Sequence, residues 1–466
     1  MERNEKNKFK MPHTFVILFF LICILTLLTH IIPAGNFERT VDEATGLVMM
    51  DADSFKTANE QSPVGLLGMF FAIQSGFVSS ASIIFLVFFA YFCVYTITKT
   101  GSFHSAINLL LKKLSGKEAL VIPIFFTIFA LAGSVYGEWD TIFGLIPIFV
   151  RFSIAIGYDA MVGLAISGMT VAFGFASATT NPFTIGIAQS YGDLPLFSGL
   201  GLRCIVFVVF VLFGILWTMR YAKAIKADPS KSIVKGIDFK GFEFEIKEDM
   251  KFTGKQKLTM ILLLLTIAGI VYGTLNFDWY IDEMAGIFLF SGVVISIIWK
   301  MHPNEIVQNL LDCSSEILVG AFVVGISRTV LVILQEGNII DTIIYYMYLP
   351  FKGLSSLILA EGMLIFQNIM NFFIPSGSGQ ASAVMPIMMP LADLGGLNRQ
   401  IATLAYQFGD GYSNLLWPTG GIAIMCTIAK IPLDKWYKFF LPLFGIMFAM
   451  EAIFIAIAVF INYGPF

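Results

Sequence analysis

The side chains of this chain that could do chemistry collect at four places where long apolar runs are interrupted. The first reads Gly133-Ser134-Val135-Tyr136-Gly137-Glu138-Trp139-Asp140-Thr141 and the second Ser177-Ala178-Thr179-Thr180-Asn181-Pro182. The third is Pro375-Ser376-Gly377-Ser378-Gly379-Gln380, and the fourth is Gly409-Asp410-Gly411-Tyr412-Ser413-Asn414, completed by Trp417-Pro418-Thr419-Gly420-Gly421. Backbone groups at a break in a membrane helix lose their internal partners, so breaks survive in hydrocarbon only where they line a cavity. A helix start offers free N–H groups and partial positive charge, and a helix end offers free carbonyls, so such a tip can hold an anion or a cation. The candidate substrate- and ion-binding residues are therefore Glu138, Asp140, Thr141, Ser177, Thr179, Thr180, Asn181, Ser376, Gly377, Ser378, Gly379, Gln380, Asp410, Ser413, Asn414 and Thr419. Helix capping and interhelical hydrogen bonding are the alternative for Ser177, Thr180, Asn181, Ser376 and Ser378, as for any hydroxyl or amide in a bundle.

Charge narrows the chemistry. Glu138 and Asp140 lie two residues apart at one tip, and Asp410 sits at the matching break further on. Neighbouring carboxylates inside a membrane repel and are poorly solvated, so a cation or a proton should compensate them. Arg328 points the other way: it can pair with Glu316, Glu361 or Glu451, or receive a substrate carboxylate. Catalytic readings find little support. His13, His30, His104 and His302 all fall at span ends or in loops, away from the interior hydroxyls, which leaves neither a zinc site nor a Ser-His pair. Ser376-Gly377-Ser378-Gly379 lacks the glycine two residues before a nucleophilic serine, and Gly409-Asp410-Gly411 lacks a second membrane aspartate of an aspartyl protease type. No enzyme activity and no cofactor is expected beyond a coupling ion, sodium at the hairpin tips or a proton.

The elements that must hold these residues are membrane helices. Of 466 residues, 57% are apolar and 13% charged, where soluble domains carry about 25% charged residues. Mean hydropathy is +0.81, and several uncharged runs approach the ~20 residues that cross the bilayer as a helix. Net charge is −3 with no basic tail, which excludes nucleic acid as a partner and leaves small solutes, lipid and a second copy. The five cysteines are scattered and read as small core residues. Full crossings are expected near 13–33, 81–99, 160–190, 200–219, 258–275, 284–299, 315–335, 398–430 and 437–462, with re-entrant hairpins over 119–155 and 354–392. The apolar stretch from Phe15 is too long for a cleavable signal and reads as a retained anchor. With the N-terminus in the cytoplasm most of the 29 lysines and arginines fall inside, as the positive-inside rule asks.

The chain then divides into an anchor and external interfacial segment (1–80), a first repeat (81–219), a basic cytoplasmic loop (220–257), a linking helical pair (258–300) and a second repeat (301–466). Gly101, Gly116, Pro147 and Pro182 recur as Gly337, Gly353, Pro386 and Pro418 at nearly constant offset, each half carrying a short amphipathic helix (Phe103, Ile107, Leu110; Ile339, Ile343, Tyr346) before its hairpin. Charge counting sets the two halves in opposite orientations. Inverted repeats with paired interrupted helices are the sequence pointer to an alternating-access secondary transporter. The expected fold class is an all-α polytopic membrane protein built as an inverted repeat.

Lys8-Phe9-Lys10-Met11-Pro12, Ile31-Ile32-Pro33-Ala34-Gly35, Ala178-Thr179-Thr180-Asn181-Pro182-Phe183 and Ile374-Pro375-Ser376-Gly377-Ser378-Gly379-Gln380-Ala381 together resemble the YfcC-like family over nearly the whole chain. That family is grouped with the four-carbon dicarboxylate anaerobic carriers of the ion transporter superfamily, and some members are basic amino acid exchangers of the arginine/ornithine type. The resemblance implies a homodimer in the cell inner membrane, each protomer with a scaffold and a mobile transport domain moving as an elevator, and it puts Ser376–Gln380 and Ser177–Asn181 at the substrate and ion sites. The Ser-Asn-Thr tips of the sodium-coupled carboxylate branch are absent; the tips here read Glu138-Trp139-Asp140-Thr141 and Ser376-Gly377-Ser378-Gly379. The expected activity is antiport of basic amino acids, with a proton- or sodium-coupled dicarboxylate carrier as the alternative.

Overall fold

The computed structural model describes residues 12–41, 48–50, 54–103, 105–106, 109, 117–135, 137, 139–239, 252–277, 279, 281–351 and 353–464. Glu138, Gly116, Ile107, Leu110 and the middle of the basic loop lie outside the described residues. Among the described residues the regular structure is helical, apart from two short antiparallel pairings, β1 (Gly35–Asn36) with β4 (Lys56–Thr57) and β2 (Arg39–Val41) with β3 (Val48–Met50).

Helix α1 (Thr14–Leu28) is followed by that small β segment and by α2 (Leu66–Ser79), which bends at Ser80 into α3 (Ala81–Lys99). The sequence reading left 66–80 in the external interfacial segment; in the structure this stretch is a helix lying along α11 (Pro303–Glu336). Together α2 and α3 cover 66–99 and α11 covers 303–336, so the bounds match at an offset of 237 residues. Helices α9 (Gly254–Phe277) and α10 (Ile281–Ile298) form a pair, and α10 packs on α3. These helices carry two apolar clusters of their own, one between α3, α9 and α10 and one between α1, α2 and α11.

A larger core joins the remaining elements. In the first half these are α4 (Val121–Val135), α5 (Thr141–Ala155), α6 (Ala160–Ala176, with a π-helical turn at 165–169), α7 (182–191) and α8 (Leu200–Ala227). In the second half they are α12 (Ile340–Tyr348), α13 (Ser356–Phe373), α14 (Gly377–Leu394), α15 (Arg399–Gly411), α16 (Gly421–Ile428) and α17 (Leu433–Phe460). Order and length run in parallel; α8 and α17 have 28 residues each. Helix starts follow ordinary capping chemistry. The Asp159 carboxylate accepts from Val162 N at 3.0 Å to open α6, and Asn398 accepts from Gln400 N at 2.9 Å to open α15. Pro182 and Pro303 occupy first helical turns, where a missing N–H costs nothing.

Among the described residues seven helices are long and apolar enough to cross a membrane: Ala81–Lys99, Glu118–Val135, Leu200–Ala227, Ile281–Ile298, Ile317–Glu336, Ser356–Phe373 and Leu433–Phe460. This is a multi-pass membrane protein. Two of the seven, Glu118–Val135 and Ser356–Phe373, are first arms of the stretches expected as re-entrant hairpins, and each is long and apolar enough to cross. Small residues such as Gly133 and Ser134 depress hydropathy, yet they stay helical, and the arm from Glu118 reaches 18 residues. Conversely, the expected crossings at 160–190 and 398–430 are each two shorter helices around a non-helical break, as the polar stretches inside them require.

Candidate functional site

The first break is closed by its own side chains. Helix α4 ends with free carbonyls at Gly133, Ser134 and Val135, and the 177–181 stretch covers them. Thr179 N donates to the Ser134 carbonyl and hydroxyl, each at 3.0 Å, Thr180 Oγ1 donates to Val135 O at 2.9 Å, and Asn181 Nδ2 to Gly133 O at 3.4 Å. Ser134 Oγ donates to Ser177 O at 3.1 Å, while Ser177 Oγ turns back to Phe173 O at 2.6 Å. Asn181 Oδ1 also accepts from Phe183 N at 2.9 Å, opening α7. Its approach needs a glycine opposite: Gly137 has φ +74°, and a Cβ there would collide with the Asn181 amide.

The second break is built differently. Ser376 Oγ accepts from Gly379 N at 3.3 Å to start α14, and Gln380 Nε2 ties that helix to α13 through Gln367 Oε1 at 2.8 Å. Thr419 Oγ1 donates to Phe372 O at 2.8 Å, and Trp417 Nε1 to Asn368 O at 2.7 Å, so the end of α13 is covered as the end of α4 is. Behind the turn sits Asp410, fully buried. Asn371 Nδ2 donates to its Oδ1 at 2.6 Å, and Asn414 Nδ2 to its carbonyl at 2.5 Å. Its Oδ2 has no hydrogen-bond partner and faces Gly377, whose added Cβ would stand 3.2 Å away. Buried oxygens of Asn371, Gln380 and Gln407 and the Thr184 hydroxyl likewise lack partners. Gln407 meanwhile donates to Phe175 O, bridging the halves.

A cavity of about 190 Å³ opens between these turns and the other helices. Ser80, Ile83, Ile281, Val324, Ser327 and Arg328 of the α3, α10 and α11 side face Trp139, Asp140, Phe143, Phe175, Phe183, Ser376, Gly377, Ser378, Asn414, Thr419 and Ile424. Of the sequence candidates, the structure thus brings Asp140, Ser376, Gly377, Ser378, Asn414 and Thr419 to one space. Thr141 is buried beside it with its hydroxyl on Met284 Sδ at 3.3 Å, and Ser413 returns to Gly409 O at 2.6 Å. Ser177, Thr179, Thr180 and Asn181 hold the first break together, whereas Asp410 and Gln380 lie behind the second turn. The aromatic wall of Trp139, Phe143, Phe175 and Phe183, and the Asn371 clamp on Asp410, carry no signal in a sequence with 47 phenylalanines.

A second chamber of about 430 Å³ lies past the Ser376–Gly379 turn. It shares Arg328 and Ser376 with the first and is otherwise lined by Asn36, Arg39, Gln335, Asn338, Asp341 and Gly379, among others. Asp341, in the first turn of α12, receives Arg39 Nη2 at 2.7 Å and Phe37 N at 3.0 Å, clamping the β segment onto that helix. No group of three or more His, Cys, Asp or Glu able to hold a metal occurs among the described residues.

The family model described as C4-dicarboxylate anaerobic carrier matches residues 11–460. The Escherichia coli K12 protein named "Putative basic amino acid antiporter YfcC" is 30% identical over 97% of both chains, and an uncharacterised protein of Haemophilus influenzae KW20 Rd is 26% identical over 98% of this chain and 99% of its own length. Among solved structures, the Alcanivorax borkumensis YdaH transporter covers 97% of this chain and 99% of its own at 14% identity, with a TM-score of 0.44.

Proposed function

We propose, from the premise that the chain belongs to the C4-dicarboxylate anaerobic carrier family and is a transporter of that family, that it exchanges basic amino acids across the cytoplasmic membrane. The observation that carries this reading is the lining of the smaller cavity, where Asp140 and four aromatic rings share one space with Arg328. A carboxylate and aromatic faces attract a guanidinium or ammonium group, each face contributing about 0.5–2 kcal/mol. Arg328 offers the planar fork that suits an α-carboxylate. A cargo with a cationic side chain and a carboxylate satisfies both, whereas a dicarboxylate would set two anions against Asp140. The name of the Escherichia coli relative supports the same choice.

In this reading the two halves are inverted repeats, α4–α5 and α13–α14 are re-entrant hairpins, and α1–α3 with α9–α11 form a scaffold. The remaining helices carry both tips past it as an elevator, in a homodimer with its N-terminus in the cytoplasm. The match of element lengths and the distribution of basic residues support it. The partnerless oxygens around Asp410 are the donor type a hard cation takes, which supports sodium as a coupling ion there.

A second reading, a coupled four-carbon dicarboxylate carrier, is favoured by Arg328 and Arg39 both lining the second chamber. Counterflow in liposomes separates the two: ornithine-loaded vesicles should take up labelled arginine without an ion gradient. Gradient-driven succinate or fumarate uptake with no arginine counterflow would reverse the choice. Asp140→Asn should raise the KM for arginine about tenfold or more, the loss of one charged contact of ~1.5–3 kcal/mol.

A further inference from the structure

The buried face of α17 carries Phe440, Leu443, Met447, Glu451, Ile455 and Ala458, an apolar stripe broken by one carboxyl. Glu451 is fully buried, and neither of its oxygens has a hydrogen-bond partner. The helix packed in the same way in the first half offers a control. Nineteenth in α8, as Glu451 is nineteenth in α17, stands Thr218, which satisfies itself on Gly214 O at 2.9 Å. The helix position therefore does not demand an acid. A carboxylate with no donor and no cation beside it is intolerable in such a place, whereas the neutral acid is merely costly, so the side chain in this conformation carries its proton.

Its neighbour is Tyr412, whose buried hydroxyl also has no partner and lies within electrostatic reach of Glu451. Tyr412 opens the short turn 412–415, which follows Asp410 and ends beside the cavity-lining Asn414. Contact of a solute with Asn414 therefore bears on the turn that carries Tyr412. Several other ionisable groups on the helices packed against α17 are engaged elsewhere. Tyr406 donates to Gly377 O, Asp410 accepts from Asn371, Tyr221 of α8 donates to Asp159, and Arg203 of α8 donates to Thr179 O. Glu361 of α13 is half-buried, Cys426 of α16 is buried, and Lys226 in the last turn of α8 pairs with Glu118 at 3.2 Å.

We propose that Glu451 is the proton-carrying carboxyl of this transporter: it holds a proton while α17 is packed against α13 and α15, releases that proton to water on one face when the packing opens, and takes up another from the opposite face. The proposal rests on the transporter reading above and adds to it the residue through which a pH gradient acts.

The test uses the full-length protein in liposomes containing a pH-sensitive dye, with arginine and ornithine as solutes. Wild type should move protons when solute is added. Glu451→Gln should lower that signal to background while arginine–ornithine counterflow continues, and Glu451→Asp should restore the signal. Proton movement that persists in Glu451→Gln at the wild-type ratio per solute overturns the proposal. Should Glu451→Gln lose counterflow as well, infrared spectra of the purified proteins decide: wild type minus variant must show the carbonyl stretch of a protonated carboxyl at neutral pH, and its absence overturns the assignment. Wild type that exchanges arginine with no proton movement also overturns it and leaves the solute reading standing; wild type that moves protons with other solutes but not with basic amino acids does the reverse.

Discussion

The two breaks that face the cavity are built from similar residues and do opposite things with them. At the first, Ser134, Ser177, Thr179, Thr180 and Asn181 satisfy one another and the end of α4, leaving little to offer a ligand. At the second, comparable closure falls to Trp417 and Thr419, and the interior keeps a carboxylate oxygen and several amide oxygens with no donor. One break is closed on itself, and the other keeps buried acceptors open. Polar residues in a membrane helix thus do not announce which they form; the hydrogen-bond partners decide it.

The largest test of this contrast is steric. A Cβ on Gly409 would lie 2.8 Å from Asn368 N and 2.9 Å from Leu364 O, so Gly409→Ala should push α15 off α13. Overpacking of that kind costs about 1–3 kcal/mol or more, and a lower melting temperature with loss of all transport should follow. Next comes Asp410→Asn, which preserves shape and removes the charge. Counterflow should fall at least tenfold with the melting temperature within a few degrees of wild type; unimpaired counterflow would make the second break a joint like the first. Ser134→Ala should do the converse, lowering stability by about 1–3 kcal/mol through stranded partners while leaving the KM for arginine unchanged. A raised KM would mean that the first break binds solute after all. Smallest is Asp341→Asn, which breaks an ion pair whose arginine is 40% exposed; the expected loss of stability is about 1 kcal/mol or less, read in the unfolding midpoint.

Much of this architecture is legible from interruptions alone. The four polar stretches mark the turns and breaks because glycine, proline and hydroxyl residues in a long apolar run leave backbone groups that must be met somewhere. The recurring Gly and Pro suggest matched halves, and α2–α3 and α11 share their bounds at one offset, although the first repeat was expected to begin only at 81. Helix 66–79 is not legible, since 14 residues are too few to cross a bilayer and read as an interfacial segment until α11 supplies the surface they pack on. Nor is the aromatic wall, because a phenylalanine facing a cavity and one facing lipid are the same letter. Asn371 is hidden for a related reason: as one amide in an apolar helix, it acquires meaning only from the aspartate that comes to it 39 residues later.

The length of α11 has a consequence of its own. Its 34 residues rise about 51 Å, but the apolar part is only Ile317–Glu336, close to the ~30 Å of hydrocarbon in an ordinary bilayer. By length and composition, the preceding fourteen residues, with Glu305 and Asp312, form an acidic post beyond the apolar part, and Arg328 sits near the middle of that part. Thicker lipids would drown the acidic post and thinner ones would strip the apolar part, so turnover should peak in acyl chains of intermediate length and decline on either side.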